Sequence, residues 1–402
     1  MRAGQETILA EMRRWGYRLV ATPTLEAVDV LAAGLGREQI RRLFKFADGD
    51  GRLLAVVGEK TVPVARLAAG QLRAAPLPLR LCYAGSVLAN DAGRFANRRE
   101  TYQAGAELIG ASGPIADAEV IALAARCLSA VSLRNFQVDV GHAEFFHGLL
   151  AGLELSQEVE AGVRAALAAR DLVALAEILE ATPLRAAERD LLLRFPALRG
   201  GPEILEAARG LVRNRRSERA LKELGEVADL LQAHGVRETV NLDLGAIRDF
   251  DYYTGITFEV YGADLGRPLA AGGRYDALLE RFGRPAPATG FVVYLDLVAE
   301  ALARSGWAPP LPRLDAAVAW SRGGLTAALG LAGSLRLFGM RAVVDTEAKA
   351  LAAARHWRDQ VGAVNLVHCD GRDRVVVAAA DGRARRMPAE QAVARLAGGR
   401  SC

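Results

Sequence analysis

Arg248-Asp-Phe-Asp-Tyr-Tyr-Thr-Gly255 and Ala271-Gly-Gly-Arg-Tyr-Asp276 are too polar, aromatic and glycine-rich to be packing alone. The first sets an arginine, two carboxylates and two adjacent tyrosines directly before Ile256–Tyr261. That run alternates and is rich in β-branched and aromatic residues, so it reads as a strand. The second carries paired glycines, which let the backbone approach a neighbour closely. Two further segments share this texture. Tyr83 to Gly110 holds Arg94, Arg98, Arg99, Gln103 and Glu107. Thr289-Gly-Phe-Val-Val-Tyr-Leu-Asp296 reads as a strand that runs directly into a helix over 295–304.

Four regions extend outward from these segments. Residues 1–152 mix helices (Glu6–Trp15 and Ala116–Ala130) with short β-rich runs at 17–22, 53–57, 79–83, 104–109 and 136–141. Residues 153–240 change to Ala, Leu, Glu and Arg at three-and-four spacing over 163–179, 202–211 and 218–234, which predicts an all-helical block. Residues 241–304 return to strand texture. One sheet domain interrupted by a helical insertion is the economical reading. A Pro-rich linker at 307–312 then leads to residues 313–402, where strands at 315–320, 341–345, 364–368 and 374–378 and helices at 325–338 and 348–360 predict a small α/β domain.

The chain has 402 residues, 51% hydrophobic and 24% charged, which suits more than one soluble core and excludes a disordered chain. No run approaches the roughly 20 apolar residues of a membrane span. Lysine plus arginine less aspartate plus glutamate is 51 − 47 = +4, weak support for an anionic partner. Only Lys60 precedes a threonine, and Glu59 stands where the glycine of a G-K-[ST] phosphate loop belongs, so a P-loop is excluded. Cys82, Cys127, Cys369 and Cys402 are scattered without any C-x-x-C, and the five histidines do not cluster with them. The reading is a reducing cytoplasm, with no metal, no cofactor and no structural disulfide.

Together the motifs resemble histidyl-tRNA synthetase, a class II aminoacyl-tRNA synthetase, over most of residues 7–304 in that family's order. Trp15-Gly-Tyr-Arg-Leu-Val-Ala-Thr-Pro23 is similar to motif 1, the dimer interface of class II enzymes. Phe44-Lys-Phe-Ala-Asp48 and Val57-Gly-Glu-Lys-Thr61 resemble the segment that follows it. Tyr83–Gly110 resembles motif 2 and Thr289–Leu297 motif 3. Asp251-Tyr-Tyr-Thr-Gly255 and Gly272-Gly-Arg-Tyr-Asp276 resemble the two segments peculiar to the histidine enzymes. The implied fold is α+β: an antiparallel synthetase-like sheet carrying a helical insertion, with a C-terminal α/β domain resembling an anticodon-binding domain.

Departures from the pattern decide the expected function. Leu88-Ala89-Asn90-Asp91 stands where motif 2 has Phe-Arg-x-Glu, so Ala89 replaces the arginine that binds the α-phosphate. Tyr294-Leu-Asp-Leu297 stands where motif 3 has Gly-x-Glu-Arg, so Leu297 replaces the second nucleotide arginine. Each lost charge-assisted contact is worth roughly 2–4 kcal/mol. Losing both implies a rate loss on the order of a thousandfold or more, and adenylation is expected to be lost. The amino-acid pocket differs. Glu59 and Thr61 match the positions that hold the α-ammonium of histidine, Gln103 another ligand of its backbone groups, and Arg248 the arginine near its carboxylate. Glu107, Tyr253 and Tyr275 match the groups that receive the imidazole, and Tyr252 completes the set. A zwitterion needs opposite charges at its two ends, and an imidazole needs an acceptor and hydroxyl partners.

That profile resembles the regulatory subunit of ATP phosphoribosyltransferase. Asp139–Leu150, Leu172–Leu179, Leu191–Pro196 and Gly200–Leu205 also resemble segments of that family. The resemblance implies a non-catalytic subunit of the first step of histidine biosynthesis. It also implies a homodimer, a hetero-octamer with a short-form catalytic subunit, L-histidine as effector, and no membrane or nucleic-acid partner. The alternatives are a diverged histidyl-tRNA synthetase or amino-acid ligase, and an RNA-binding paralogue. The plainer readings make Arg248, Asp249 and Asp251 a surface ion cluster and Glu107, Tyr253 and Tyr275 satisfied core groups. His142 and His147 read as structural.

Overall fold

Leu79–Leu88 and Glu100–Ile109 are the two longest strands among the described residues of the computed structural model, which describes residues 1–90, 99–153, 155–169, 171–212, 214–245, 253–263, 265–307, 313–371, 374–378 and 383–398. Contacts divide the chain into two units, Met1–Ala308 and Pro309–Cys402.

In the first unit the strands are β1 (Arg18–Leu19), β2 (Leu25–Ala27), β3 (Lys45–Ala47), β4 (Leu53–Val56), β5 (Leu79–Leu88), β6 (Glu100–Ile109), β7 (Phe136–His142), β8 (Arg199–Gly200), β9 (Val240–Asp243), β10 (Ile256–Gly262), β11 (Pro268–Arg274) and β12 (Ala288–Tyr294). Nine of them form one sheet in the order β1-β5-β6-β12-β11-β10-β7-β9-β8. The β1–β5 and β7–β9 pairs are parallel and the rest antiparallel. The expected α+β class, with an antiparallel-rich sheet, is what the chain forms.

Helix Pro114–Ala130 packs on this sheet, opened by Pro114 at its first position and burying Val120, Ile121, Leu123 and Leu128. Each such side chain contributes roughly 1.5–3 kcal/mol on burial. Helices Arg2–Arg14 and Arg215–Ala233 pack against it and close the main core. A second core lies under the three-stranded sheet β2-β4-β3 and helix Thr61–Ala69, where Val57, Val62, Val64, Leu79, Leu81, Tyr83 and Tyr275 meet.

Four expectations need correction. The strand expected at 17–22 pairs only over Arg18–Leu19. The run 163–179 divides into Gln157–Ala168 and Leu172–Ala181, because Asp171 caps the second helix through the Ala174 amide at 3.0 Å. The block 153–240 is not all helical: Arg199–Gly200 leaves it to pair with β9. Pro268–Arg274 is an inner strand that sequence texture did not reveal, its glycines masking the alternation. Trp15 is packed against the main core and stacks on His234, with centroids 5.7 Å apart.

The second unit is a five-stranded sheet with three helices, Leu325–Leu337, Leu351–Gln360 and Ala389–Ala397. Its strands β13 (Leu314–Trp320), β14 (Ala342–Val344), β15 (Ala363–Cys369), β16 (Arg374–Ala378) and β17 (Ala384–Pro388) run in the order β14-β13-β15-β16-β17. Strand β17 was not anticipated, since Ala-Arg-Arg-Met-Pro lacks an apolar alternation.

Candidate functional site

Residue alternation along β5 and β6 builds the floor of a cavity. Tyr83 lies opposite Gly105 and Leu81 opposite Glu107, so Tyr83 and Glu107 share one face of the sheet. Glu107 is 1% exposed. Its other neighbour is Gly290 of β12. A Cβ on Gly290 would fall 1.7 Å from Glu107 Oε2, so that glycine leaves the space the carboxyl fills. Gly105 likewise makes room for the Tyr83 ring, whose hydroxyl would lie 2.4 Å from an added Cβ.

The Glu107 carboxyl is enclosed by hydroxyls. Tyr275, just past β11, donates to Oε2, and Tyr83 donates to Oε1 at 3.4 Å. Thr61 adds a side-chain hydrogen bond. Burial raises the acid from its ordinary value to about 8, the Tyr275, Thr61 and Tyr83 bonds oppose the rise, and the Glu59 charge adds to it. The Tyr83 hydroxyl is pushed well above its ordinary range by burial and by the Glu107 and Glu59 charges. Near neutral pH the floor is therefore a protonated acid among phenols, able to donate or accept.

The rim comes from the N-terminus of helix Thr61–Ala69. Glu59 accepts from the Thr61 and Val62 amides, both at 2.8 Å, and so caps that helix end. Burial raises its acid despite those bonds. Pro63 falls in the first turn, where its missing N–H costs nothing. Lys60, Thr61 and Gln103 join Glu59 on the wall, and Tyr253 and Tyr275 face them. The space, including its open mouth, is about 870 Å³. Ala271, Gly272, Phe291 and Val292 supply an apolar side.

Of the residues singled out from sequence, the fold brings Glu59, Thr61, Gln103, Tyr253 and Tyr275 to one cavity, with Glu107 beneath Gly290. Arg248, Tyr252, Arg94 and Arg98 lie outside the described residues. Arg99 is exposed. Arg274, beside Tyr275, serves the framework: it pairs with buried Asp117 at 2.9 Å and with Asp276 at 3.0 Å. His142 caps helix Ala143–Ala151 through the Glu144 amide and meets Glu223 at 3.2 Å. Sequence reasoning missed Tyr83, Lys60, Gln39 and Arg42. For Tyr83 the signal is the strand register, Leu81 opposite Glu107 and Tyr83 opposite Gly105, which the sequence alone does not show.

At the positions that the resemblance matches to nucleotide arginines the side chains are apolar. Ala89 lines the cavity with a methyl group. Tyr294 is 4% exposed on the cavity wall, and Leu297 is 3% exposed within the main core. Among the described residues, Arg42 is the arginine that lines the space, and Glu38 meets it at 3.2 Å. No group of three or more metal-binding side chains occurs among the described residues, and no helix there is long and apolar enough to cross a membrane.

Residues 1–298 match the histidyl-tRNA synthetase family model. The chain is 38% identical over 377 residues to the ATP phosphoribosyltransferase regulatory subunit of Syntrophotalea carbinolica, covering 90% of this chain and 88% of that one. It is 41% identical over 357 residues to that of Moorella thermoacetica, covering 88% and 91%. The chain belongs to the ATP phosphoribosyltransferase regulatory subunit family. A solved relative, an ATP phosphoribosyltransferase regulatory subunit/histidyl-tRNA synthetase from Bacillus halodurans, superposes with a TM-score of 0.80 at 32% identity, covering 92% of this chain and 94% of that one. The histidyl-tRNA synthetase of Nostoc, 19% identical with a TM-score of 0.81, shares the fold. This member of the regulatory subunit family therefore carries the class II synthetase fold.

Proposed function

We propose that this chain is a non-catalytic regulatory subunit that activates a short-form ATP phosphoribosyltransferase catalytic subunit and senses L-histidine. The observation that carries the reading is the pairing of a polar, hydroxyl-surrounded acid beneath the cavity with Ala89 and Tyr294 on its wall and Leu297 in the core behind it. Glu107, Tyr83 and Tyr275 offer an imidazole its acceptor and its hydroxyl partners. Glu59 and Thr61 suit the α-ammonium. Gln103, Tyr253 and, by resemblance, Arg248 and Tyr252 complete the set. Without charged donors at Ala89 and Leu297, a bound amino acid lacks the contacts that would activate ATP against it.

In this reading histidine shifts an equilibrium between states of a hetero-octamer built on homodimers of this chain. The shift equals the difference in histidine's affinity for the two states. Apolar residues exposed near β1, Leu19 and Leu25, are consistent with a self-contact in the motif 1 region. The test mixes the chain with a short-form catalytic subunit and follows phosphoribosyl transfer to ATP. The expected result is activity that depends on this chain and falls as histidine is added. Activity indifferent to the chain and to histidine would overturn the proposal. Histidine-dependent ATP–pyrophosphate exchange by the chain alone would favour a synthetase or ligase.

A further inference from the structure

Lys60 is one of only four lysines in the chain, and it is 7% exposed on the wall of the cavity. Its stem lies along β5 at Gly85: a Cβ there would stand 3.6 Å from Cε and 3.8 Å from Nζ. Gly85 is the strand partner of Gln103, so the ammonium and the Gln103 amide occupy the same stretch of wall. Two residues further along each strand are Tyr83 and Gly105, and beyond them Glu107. The ammonium and the floor acid thus mark two ends of one face.

No described residue accepts a hydrogen bond from this ammonium. The opposite charge that acts on it is Glu59, which makes no hydrogen bond to Lys60; its two oxygens each accept one amide, from Thr61 and Val62, and keep acceptor capacity for a second donor. Burial weakens the hold of Lys60 on its proton, and the Glu59 charge works against that loss. The stem is buried while the ammonium opens on the cavity, where an anion can meet it. Arg42 has Glu38 as a neighbour, and Ala89 brings no charge.

We propose that Lys60 is a contact for the α-carboxylate of an amino-acid ligand, in addition to the Arg248 that the resemblance implies, and sets the cavity's preference for amino acids over their carboxylate-free analogues. Consecutive residues then present opposite charges to the two halves of a zwitterion: Glu59 to the ammonium and Lys60 to the carboxylate. A polyphosphate suits the site less, because Glu59 would repel it and the other cation on the lining, Arg42, is paired with Glu38. This deepens the histidine reading and rests on it for the identity of the side chain, though not for the carboxylate contact.

The test is a thermal-shift and calorimetric panel on the full chain: the twenty L-amino acids, L-histidinol, ATP and inorganic pyrophosphate, against wild type and Lys60→Met. Methionine fills similar volume without the charge, and Lys60→Gln replaces it if the first variant does not fold. The expected result is histidine binding that weakens on the order of 10- to 100-fold in Lys60→Met, as for loss of a charge-assisted hydrogen bond. Histidinol affinity should stay within about twofold, since it makes no such bond. Equal histidine affinity in both proteins overturns the Lys60 role and leaves histidine sensing intact. Lys60-dependent binding of a different amino acid keeps the role and overturns histidine as the ligand. No response to any amino acid, or a Lys60-dependent response to ATP or pyrophosphate alone, overturns both.

Discussion

The floor of the cavity and the wall around Ala89 and Tyr294 differ in chemistry. At the floor, Glu107 is surrounded by hydroxyl donors, and a glycine on the neighbouring strand reserves its space. On the wall Ala89 is a methyl group and Tyr294 fills space, and Leu297 behind them has joined the hydrophobic core. A buried acid with several partners is costly to assemble and costly to break, whereas an alanine and a leucine in those places cost nothing. Under the proposed function this contrast separates recognition from activation: the pocket keeps groups suited to hold a ligand and lacks those that would activate it.

The largest way to break this contrast is at Gly290. Gly290→Ala drives a methyl into the Glu107 carboxyl and to within 2.7 Å of the Ala106 carbonyl. We expect histidine affinity, read by calorimetry, to fall by at least about 100-fold. Stability, read by urea unfolding, should fall by roughly 1–3 kcal/mol as for an overpacked core.

Glu107→Gln sharpens the floor. The folded protein holds the Glu107 proton up to about pH 8, against an ordinary value of 4.5. Between those values the folded state binds more protons than the unfolded one, so stability from this group is full below 4.5 and lost as pH rises through 8. Glutamine removes that slope. The variant should match wild type in acid and exceed it by on the order of a few kcal/mol near pH 9, measured by urea unfolding across pH. Parallel curves for the two proteins would show that the acid is not buried as described.

Tyr83→Phe removes one long hydrogen bond to the floor. The expected loss in histidine affinity is about 1 kcal/mol, near fivefold. The smallest effect is expected at the Ala89 wall. Ala89→Arg restores one charge but leaves Leu297 and Tyr294, so ATP–pyrophosphate exchange should stay at background. A clear gain would show that this wall is a single substitution from ATP activation.

How legible the site was depended on what kind of signal each residue carried. Glu59, Gln103, Glu107 and Tyr275 stood in polar, glycine-rich segments that hydrophobic packing does not explain. Tyr83 was hidden because its role depends on strand register, with Gly105 opposite it and Glu107 two residues on. Lys60 was noticed as a failed P-loop and as part of the Val57–Thr61 segment, but not as a site residue, since nothing local reveals that its side chain lies along β5. The same limit explains the fold. Helices such as Leu295–Arg304 follow from their spacing, as does strand Arg374–Ala378 from its apolar run. Strand Pro268–Arg274 was missed, because Leu-Ala-Ala-Gly-Gly has too little side chain to show which face is buried.

The most direct measurement is calorimetric titration of L-histidine into the isolated chain, with and without ATP. The account predicts saturable histidine binding that is unchanged by ATP and lost in Gly290→Ala. Absence of histidine heat, or histidine affinity that depends on ATP, would contradict it.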